Sequence, residues 1–463
     1  MSIVRFVGDA WQVRVDEDDP RDGALRIAEA VGLLAGETHA DGTVYVGYDT
    51  RPSSVELAEE VGGVIAAHGM RVLVSSTHCP TPALCEAVRR DPDAFAAVML
   101  TAGNRPDDYF GLRLRTADGN SAAPADIETL ESLIPSRPTL ERGAVERVDV
   151  VGPYLDAIAR FIDADAVRRA RPTVVCDSMH GATSGHAARL LRRLGAEVVE
   201  LHAAPKEDFG GLHPAACEPW IDDCEQGVRD VRADMGVALD GGGDRIALID
   251  GAGTFVTPHK MLSLVMEHLV SGRGMSGRMV VPIFCSSIVK RQAKRLGCPL
   301  TVTPAGFVWM REEMGSEDVL CAGDAQGGVC IPSIGLERDA LAVAAALVEA
   351  LAVGGVSVAE RASQLDEQVG RMEYGRRDIR MGSGAIQMLR NFLPGLNPAD
   401  IAGRVPVRVS HSGGLRVEFE DDSWLLVRPS RTEPLVRVYA EAKDIASRDE
   451  LLVAGVALAK GAE

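Results

Sequence analysis

Aromatic side chains are scarce: Phe, Trp and Tyr make up 4% of the 463 residues. Any core must therefore be built from Ala, Val and Leu. Positive charge is also in short supply, since 49 Lys and Arg face 67 Asp and Glu for a formal net charge of −18. That balance speaks against a nucleic-acid partner, which rewards clustered positive charge. No apolar run of about 18 residues or more is present, so no membrane span or membrane partner is expected. The start, MSIVRFVGDAWQVRVDEDD, lacks the basic residues and apolar stretch of a secretory signal. The nine cysteines form no Cys-x-x-Cys pair and sit in apolar runs, as Cys176 does in TVVCD and Cys330 in GGVCI. They read as buried reduced thiols of a cytoplasmic protein.

What is present is ordinary globular material: 46% hydrophobic and 25% charged residues. At roughly 100–200 residues per domain, the length suggests three or four domains. One pattern recurs three times, at 43–76, 173–201 and 279–305. Each copy is a β-branched run, a polar loop, a helical pattern, a glycine (Gly69, Gly195, Gly297) and a second β-branched run. The apolar runs predict strands buried on both faces, as in parallel sheets. The helical stretch of the middle copy is apolar at Ala188, Leu190, Leu191 and Leu194. The glycines predict left-handed helix caps. These are βαβ crossovers, and three copies predict three related α/β domains. After about residue 370, VPVRVSH, GLRVEFEDD, SWLLVRPS and LVRVYAEA alternate like antiparallel strands before a closing helical stretch. Boundaries are expected near 142–151, 251–255 and 352–358.

Four loops follow predicted strands, where α/β folds place ligands. MLTAGNRPDDYFGLRL at 99–114 offers Thr101, Asn104, Arg105, Asp107 and Asp108, although by composition it reads as a plain surface turn. VALDGGGDRIALID at 237–250 sets Asp240 and Asp244 around three glycines, with Arg245 following. Such carboxylates suit Mg2+ only weakly, and Asp-Gly and Gly-Gly are also hairpin residues. CAGDAQGGV at 321–329 places Asp324 and Gln326 where they could bond hydroxyl groups, or simply form a tight turn. VRPSRTEPLVRV at 427–438 gathers Arg428, Ser430, Arg431, Thr432 and Arg437. Guanidinium forks and hydroxyls match phosphate oxygens, so this acidic chain is expected to bind phosphate here.

In their order along the chain, these loops resemble the α-D-phosphohexomutase superfamily. The resemblance also takes in VGYDTRPSS at 46–54, PTPAL at 80–84, DSMHGA at 177–182, DFGGLHP at 208–214, TPAGFVWM at 303–310 and RPSRTEP at 428–434. It implies an α/β protein of three similar βαβ-type mixed-sheet domains, with a C-terminal α+β (TATA-binding-protein-like) domain, around a central cleft. The expected domains are 1–145 with the loop 99–106, 150–252 with the loop 240–245, 256–368 with the loop 322–328, and 370–463 with the loop 428–434. In that family a phosphoserine exchanges a phosphoryl group with C1 and C6 of a hexose. Mg2+ sits beside the phosphoserine on three aspartates, and the phosphate not being transferred docks in the fourth domain.

The sequence departs from this pattern at the chemistry. The motif Thr-Ala-Ser-His-Asn-Pro reads TAGNRP at 101–106, so Gly103 stands at the phosphoserine position. A hydrogen side chain cannot carry a phosphoryl group. The metal motif Asp-Gly-Asp-x-Asp-Arg has Gly242 as its middle residue, which leaves Asp240 and Asp244 and predicts weakened Mg2+ binding. Gln12 replaces an arginine, Pro304 a lysine, and Asp324 and Gln326 the polar pair of the sugar-reading loop. Arg428, Ser430, Thr432 and Arg437 match the phosphate loop, with Arg431 in place of a glycine.

The partner expected is a phosphorylated sugar or sugar-like small molecule, bound by a monomer or dimer. One reading is an enzyme with altered chemistry (elimination, epimerisation or hydrolysis) using His180, Asp240, Asp244, Arg245 and Arg105. His186, His202 and His213 also fall in the second domain and read as structural. An alternative is a non-catalytic phosphosugar-binding or regulatory homologue. The last is a true mutase with a displaced nucleophile; Thr101, two residues away, would stand about 7 Å from the serine position on a strand.

Overall fold

The computed structural model describes residues 4–38, 42–430 and 434–461. The chain divides into two compact units, residues 1–278 with 311–362 and residues 279–310 with 363–463.

The first unit opens with β1 (Ala10–Arg14), β2 (Thr43–Tyr48), β3 (Arg71–Ser75), β4 (Ala94–Leu100), β5 (Tyr109–Thr116) and β6 (Glu146–Val148). They form one mixed sheet in the order β1-β5-β4-β2-β3-β6. β2 runs parallel to β3 and β4, and β5 antiparallel to both β4 and β1. All six residues of β2 are buried, as its run of apolar and β-branched side chains requires of a central strand. A second mixed sheet follows, from β7 (Thr173–Asp177), β8 (Glu197–Leu201), β9 (Met235–Leu239), β10 (Ile246–Asp250) and β11 (Phe255–Val256), ordered β11-β10-β9-β7-β8. Its helix His186–Leu194 buries Ala188, Leu190, Leu191 and Leu194, and Gly195 caps it in the left-handed region at φ 115°. The β9–β10 pair is antiparallel, so the 240–245 loop is a hairpin turn whatever else it does.

In the second unit, β12 (Arg278–Pro282) and β13 (Leu300–Thr303) pair in parallel over Met279–Pro282, with the helix Ser287–Arg295 between them in sequence. The first unit resumes with β14 (Val319–Gly323) and β15 (Val329–Cys330), an antiparallel pair flanking the 324–328 turn. The second unit ends in β16 (Glu373–Arg380), β17 (Arg408–Ser410), β18 (Leu415–Glu418), β19 (Trp424–Pro429) and β20 (Leu435–Ala442). This sheet, β16-β20-β19-β18-β17, is antiparallel throughout. The helix Ile445–Lys460 buries Leu451, Leu452, Gly455 and Ala459. β16 escaped the sequence reading, because EYGRRDIR is mostly charged and lacks an apolar alternation.

The buried Glu441 ties the two stretches of the second unit together. Its carboxylate accepts from Ser286 Oγ, from Ser287 N at 2.8 Å and from Trp424 Nε1 at 2.8 Å. One expectation about the thiols needs correction: none of the nine is in a disulfide, but Cys217 is exposed. It lies in a turn before the helix Asp222–Val231, with no apolar run around it to draw it inward.

Candidate functional site

Four loops of the first unit converge, each leaving the carboxyl end of a buried strand. Asp49, Thr50 and Arg51 follow β2 and are all buried. Asp49 Oδ2 accepts from Arg51 Nε at 3.1 Å and from Thr101 Oγ1 at 2.6 Å. The Arg51 guanidinium donates to four carbonyls of the loop after β4: Gly103 (3.0 Å), Arg105 (2.7 Å), Pro106 (2.6 Å) and Tyr109 (2.9 Å). It also lies 4.9 Å from the centre of the Phe209 ring. Arg51 thus holds the 101–109 loop in shape. Sequence reasoning quoted the DTR run without giving it this role.

Gly103 sits in the left-handed region at φ 61°, which favours a residue without Cβ. A Cβ built there would lie 2.7 Å from Arg113 Nη2. Thr101 is fully buried, and its hydroxyl donates to Asp49 while accepting from Gly103 N at 2.9 Å. Arg105 turns its guanidinium over the Tyr109 ring, 5.2 Å from its centre.

The 177–182 loop brings His180 in at φ 55°. Its Nδ1 lies 2.6 Å from the Ala204 carbonyl, which can only accept, so Nδ1 carries the hydrogen and a neutral ring keeps its lone pair on Nε2. Burial holds this imidazole below the ordinary histidine range, with Lys206 and His202 adding to the effect. His202, 4.8 Å away ring to ring, is raised by its bond to Asp177 at 2.9 Å. The main chain of this loop touches the next one: a Cβ on Gly181 would stand 2.7 Å from Gly241 Cα.

Asp240 and Asp244 are both buried in the hairpin loop. Asp240 Oδ1 accepts from the backbone of Asp244 (2.8 Å) and Arg245 (3.2 Å). Asp244 Oδ2 pairs with Arg113 Nη1 and lies 3.7 Å from Arg338 Nη2, while its Oδ1 is buried without a hydrogen-bond partner. Burial and the neighbouring Asp244 push the Asp240 carboxyl up, against Arg245. Burial acts the same way on Asp244, but Arg113 and Arg338 win and hold it low. Among the described residues, no three His, Cys, Asp or Glu side chains converge as a metal ion would need. The 324–328 turn lies against the start of β10 through Ile246 N to Gly327 O at 3.1 Å. Asp324 Oδ1 accepts from Gln326 N (2.8 Å) and Gly328 N (3.1 Å), closing its own turn. Sequence reasoning missed Arg113, Arg115, Glu337 and Arg338, the last three of which link through Arg115–Glu337 (2.7 Å) and Arg338–Glu337 (3.4 Å). The alternation in GLRLRT, which points Arg113 and Arg115 to one face of β5, was the available signal.

Four family models match successive stretches of this chain. The phosphoglucomutase/phosphomannomutase alpha/beta/alpha domains I, II and III match residues 7–140, 152–253 and 257–368, and the C-terminal domain matches 395–457. The chain belongs to the phosphoglucomutase/phosphomannomutase family. A phosphoglucomutase/phosphomannomutase of Thermococcus kodakarensis is 29% identical over 449 residues, covering 96% of this chain and 95% of that one. A Pyrococcus horikoshii protein assigned as a phosphoglucosamine mutase is 29% identical over 425 residues, or 90% of each chain. Among solved structures, a Thermus thermophilus protein assigned as a phosphomannomutase superposes with a TM-score of 0.87 at 28% identity, covering 99% of this chain and 100% of that one. An Aspergillus fumigatus N-acetylphosphoglucosamine mutase, solved with GlcNAc-6P and magnesium, shares the fold at a TM-score of 0.59 and 13% identity, covering 100% of this chain and 96% of its own. No single described helix of this phosphohexomutase-family chain is long and apolar enough to cross a membrane.

The 428–434 segment, expected from the sequence to bind phosphate, belongs to the second unit, with Arg428 near the end of β19 and β20 following. Arg428 and Arg437 face each other across these strands. Arg437 also lies 3.8 Å from Asp378. Ser430 N donates to Leu435 O at 2.8 Å, and the Ser430 carbonyl accepts from Arg390 at 2.6 Å. Arg431 and Thr432 lie outside the described residues. A cavity of about 200 Å³ opens beside the loop, with Arg390, His411 and Arg428 on its wall together with Pro304, Ala305 and Gly414. His411 Nε2 bonds the Leu396 carbonyl at 2.9 Å. Neither Arg390 nor His411 stood out in the sequence: Arg390 is the single charged residue of the helix Ser383–Phe392, and His411 sits between two serines.

Proposed function

We propose that this phosphohexomutase-family chain binds a phosphorylated sugar or sugar-like small molecule and does not exchange phosphoryl groups through a covalent phosphoenzyme. The observation that carries the reading is Gly103. Its hydrogen side chain stands at the position of the family's phosphoserine, in a left-handed backbone, with Arg113 2.7 Å from where a Cβ would begin. Thr101 makes a poor substitute, since its hydroxyl is fully buried and engaged by Asp49 and Gly103. The phosphate-binding part belongs to Arg428 and Ser430, with Arg431, Thr432 and Arg437 completing the motif, and the cavity beside Arg428 has room for a phosphate group. Asp324 and Gln326 remain the candidates for reading the sugar.

The residues present do not fit the family's magnesium ion well. Gly242 offers no carboxylate, and Asp244 already faces Arg113 and Arg338. The unpartnered Oδ1 of Asp244 is left for a donor from a ligand, such as a sugar hydroxyl.

A second reading, acid–base chemistry on the bound sugar, is favoured by His180. Its Nδ1 is tied to Ala204 and burial keeps it neutral, so Nε2 is set to take a proton. Asp240, whose carboxyl burial and Asp244 push up to about 6, would be the candidate to pass a proton on. Arg105 and Arg245 would offset negative charge on the ligand.

Two measurements test the proposal. Thermal shift against a panel of hexose 1- and 6-phosphates is expected to show stabilisation by at least one of them. Intact mass after incubation with a hexose bisphosphate is expected to show no phosphoryl adduct. A stoichiometric adduct would overturn the proposal. Conversion of one sugar phosphate to a product other than its positional isomer, lost in His180→Gln, would decide for the second reading.

A further inference from the structure

One guanidinium reaches both halves of the dismantled centre. Arg113 Nη1 pairs with Asp244 Oδ2, and Arg113 Nη2 lies where the first atom of any side chain at 103 would have to pass, 2.7 Å from a Cβ built there. The Arg113 side chain is 11% exposed and that of Asp244 2%, so the pair is largely shielded from solvent. A second guanidinium, from Arg338, stands 3.7 Å from the same carboxylate oxygen. Glu337 anchors that arginine at 3.4 Å and also pairs with the fully buried Arg115 at 2.7 Å, so one carboxylate holds Arg338 and Arg115 in place. The loops leave little slack: a Cβ on Gly242 would lie 3.1 Å from Gly103 Cα.

A buried carboxylate needs an opposite charge. In a relative with three aspartates the natural partner is a divalent cation. We propose that in this chain Arg113 and Arg338 are its built-in replacement, two fixed guanidinium charges on Asp244 that make the centre charge-balanced without a metal and bar both a cation and a seryl side chain from it. The inference rests on the proposed function, and on the resemblance of this loop to the family's metal motif, only for where a metal would sit. It goes beyond the missing middle carboxylate, because restoring that carboxylate alone should not restore the metal.

The experiment uses the full chain and Mn2+ as the probe, followed by electron paramagnetic resonance. Wild type is expected to bind no stoichiometric Mn2+. Gly242→Asp alone is expected to stay weak, whereas Gly242→Asp with Arg113→Met is expected to bind one Mn2+ at least about tenfold more tightly than Gly242→Asp. Equal affinity with and without Arg113, whether strong or undetectable, overturns the proposal. Should the Met variant not fold, Arg113→Gln takes its place, keeping a stem and a neutral donor. The wild-type unfolding midpoint supplies an independent arm. It is expected to be the same in excess Mg2+ and in EDTA, and a rise of a few degrees with Mg2+ overturns the proposal. No sugar phosphate enters either assay, so the outcome is separate from that of the binding panel.

Discussion

The 101–106 and 240–245 loops and the 428–430 loop handle charge in opposite ways. In the first pair, the protein satisfies its own buried groups: Arg51 is taken up by four carbonyls and Asp49, and Asp244 by Arg113 with Arg338 nearby. By contrast, Arg390, His411 and Arg428 line a cavity of about 200 Å³. A centre whose charges cancel internally gains rigidity and loses its call on an outside ion, while a positive wall beside open volume keeps it. Replacing one member of a self-satisfied pair should therefore damage the fold, and replacing one member of the open wall should damage binding.

Breaking the pair gives the largest effect. Arg113→Ala or Asp244→Ala each leaves a buried charge behind and is expected to lower stability by about 3–5 kcal/mol in denaturant titration. The double variant should lose less than the sum of the two, and strict additivity would mean that the residues do not interact.

Acid exposes another self-satisfied site of the same unit. His186 Nε2 bonds the His78 carbonyl at 3.0 Å, and His78 Nε2 bonds the Ser184 carbonyl at 3.1 Å. Burial, then His78, lowers the His186 imidazole to about 4 from an ordinary 6.5. Because the folded value is depressed, the unfolded chain takes up protons first. Stability is full above about pH 6.5 and falls as pH drops toward 4, by on the order of 2–3 kcal/mol for this residue. His186→Gln should flatten the slope of stability against pH in that window; an unchanged slope would show that the imidazole is not held neutral.

For the open wall, Arg428→Ala is expected to weaken a bound sugar phosphate by about 2 kcal/mol, roughly thirtyfold, with little change in unfolding midpoint. Arg437→Ala should do less, since that side chain already lies near Asp378. Calorimetry on the two variants decides the order. Gly103→Ser places a Cβ in the left-handed region and against Arg113, which should cost about 1–2 kcal/mol of stability without yielding phosphorylated protein on intact-mass analysis. The smallest effect is expected for Arg390→Gln, about 0.5–1.5 kcal/mol in ligand affinity through a looser Ser430 carbonyl.

Much of the fold was legible because its strands are nearly pure apolar runs. TVYVGY, TVVCD and RMVVP could hardly be anything but buried strands, and the glycines after their helices mark the turns. β16 was illegible for the opposite reason, as its charged residues pair with one another and with Arg437 instead of forming an apolar face. In the candidate site, the loops announced themselves through Gly, Asp and Arg at strand ends. Arg113, Arg115 and Arg338 did not, because arginine in a strand or near a helix start is ordinary on a surface. Only the approach of Asp244, Asp9 and Glu337, from distant parts of the chain, makes these three buried ion-pair members.

The residue order by itself determined that position 103 carries no side-chain oxygen: a glycine has none to phosphorylate, and no folding can supply one there. It also determined the βαβ repeats, since apolar period and glycine caps are local properties. Which charges surround that position was decided in three dimensions. Arg113 and Asp244 are separated by 131 residues, and their pairing exists because two sheets present loops to each other at glycine contact distance. Charge compensation depends on separation in space, which local sequence does not encode.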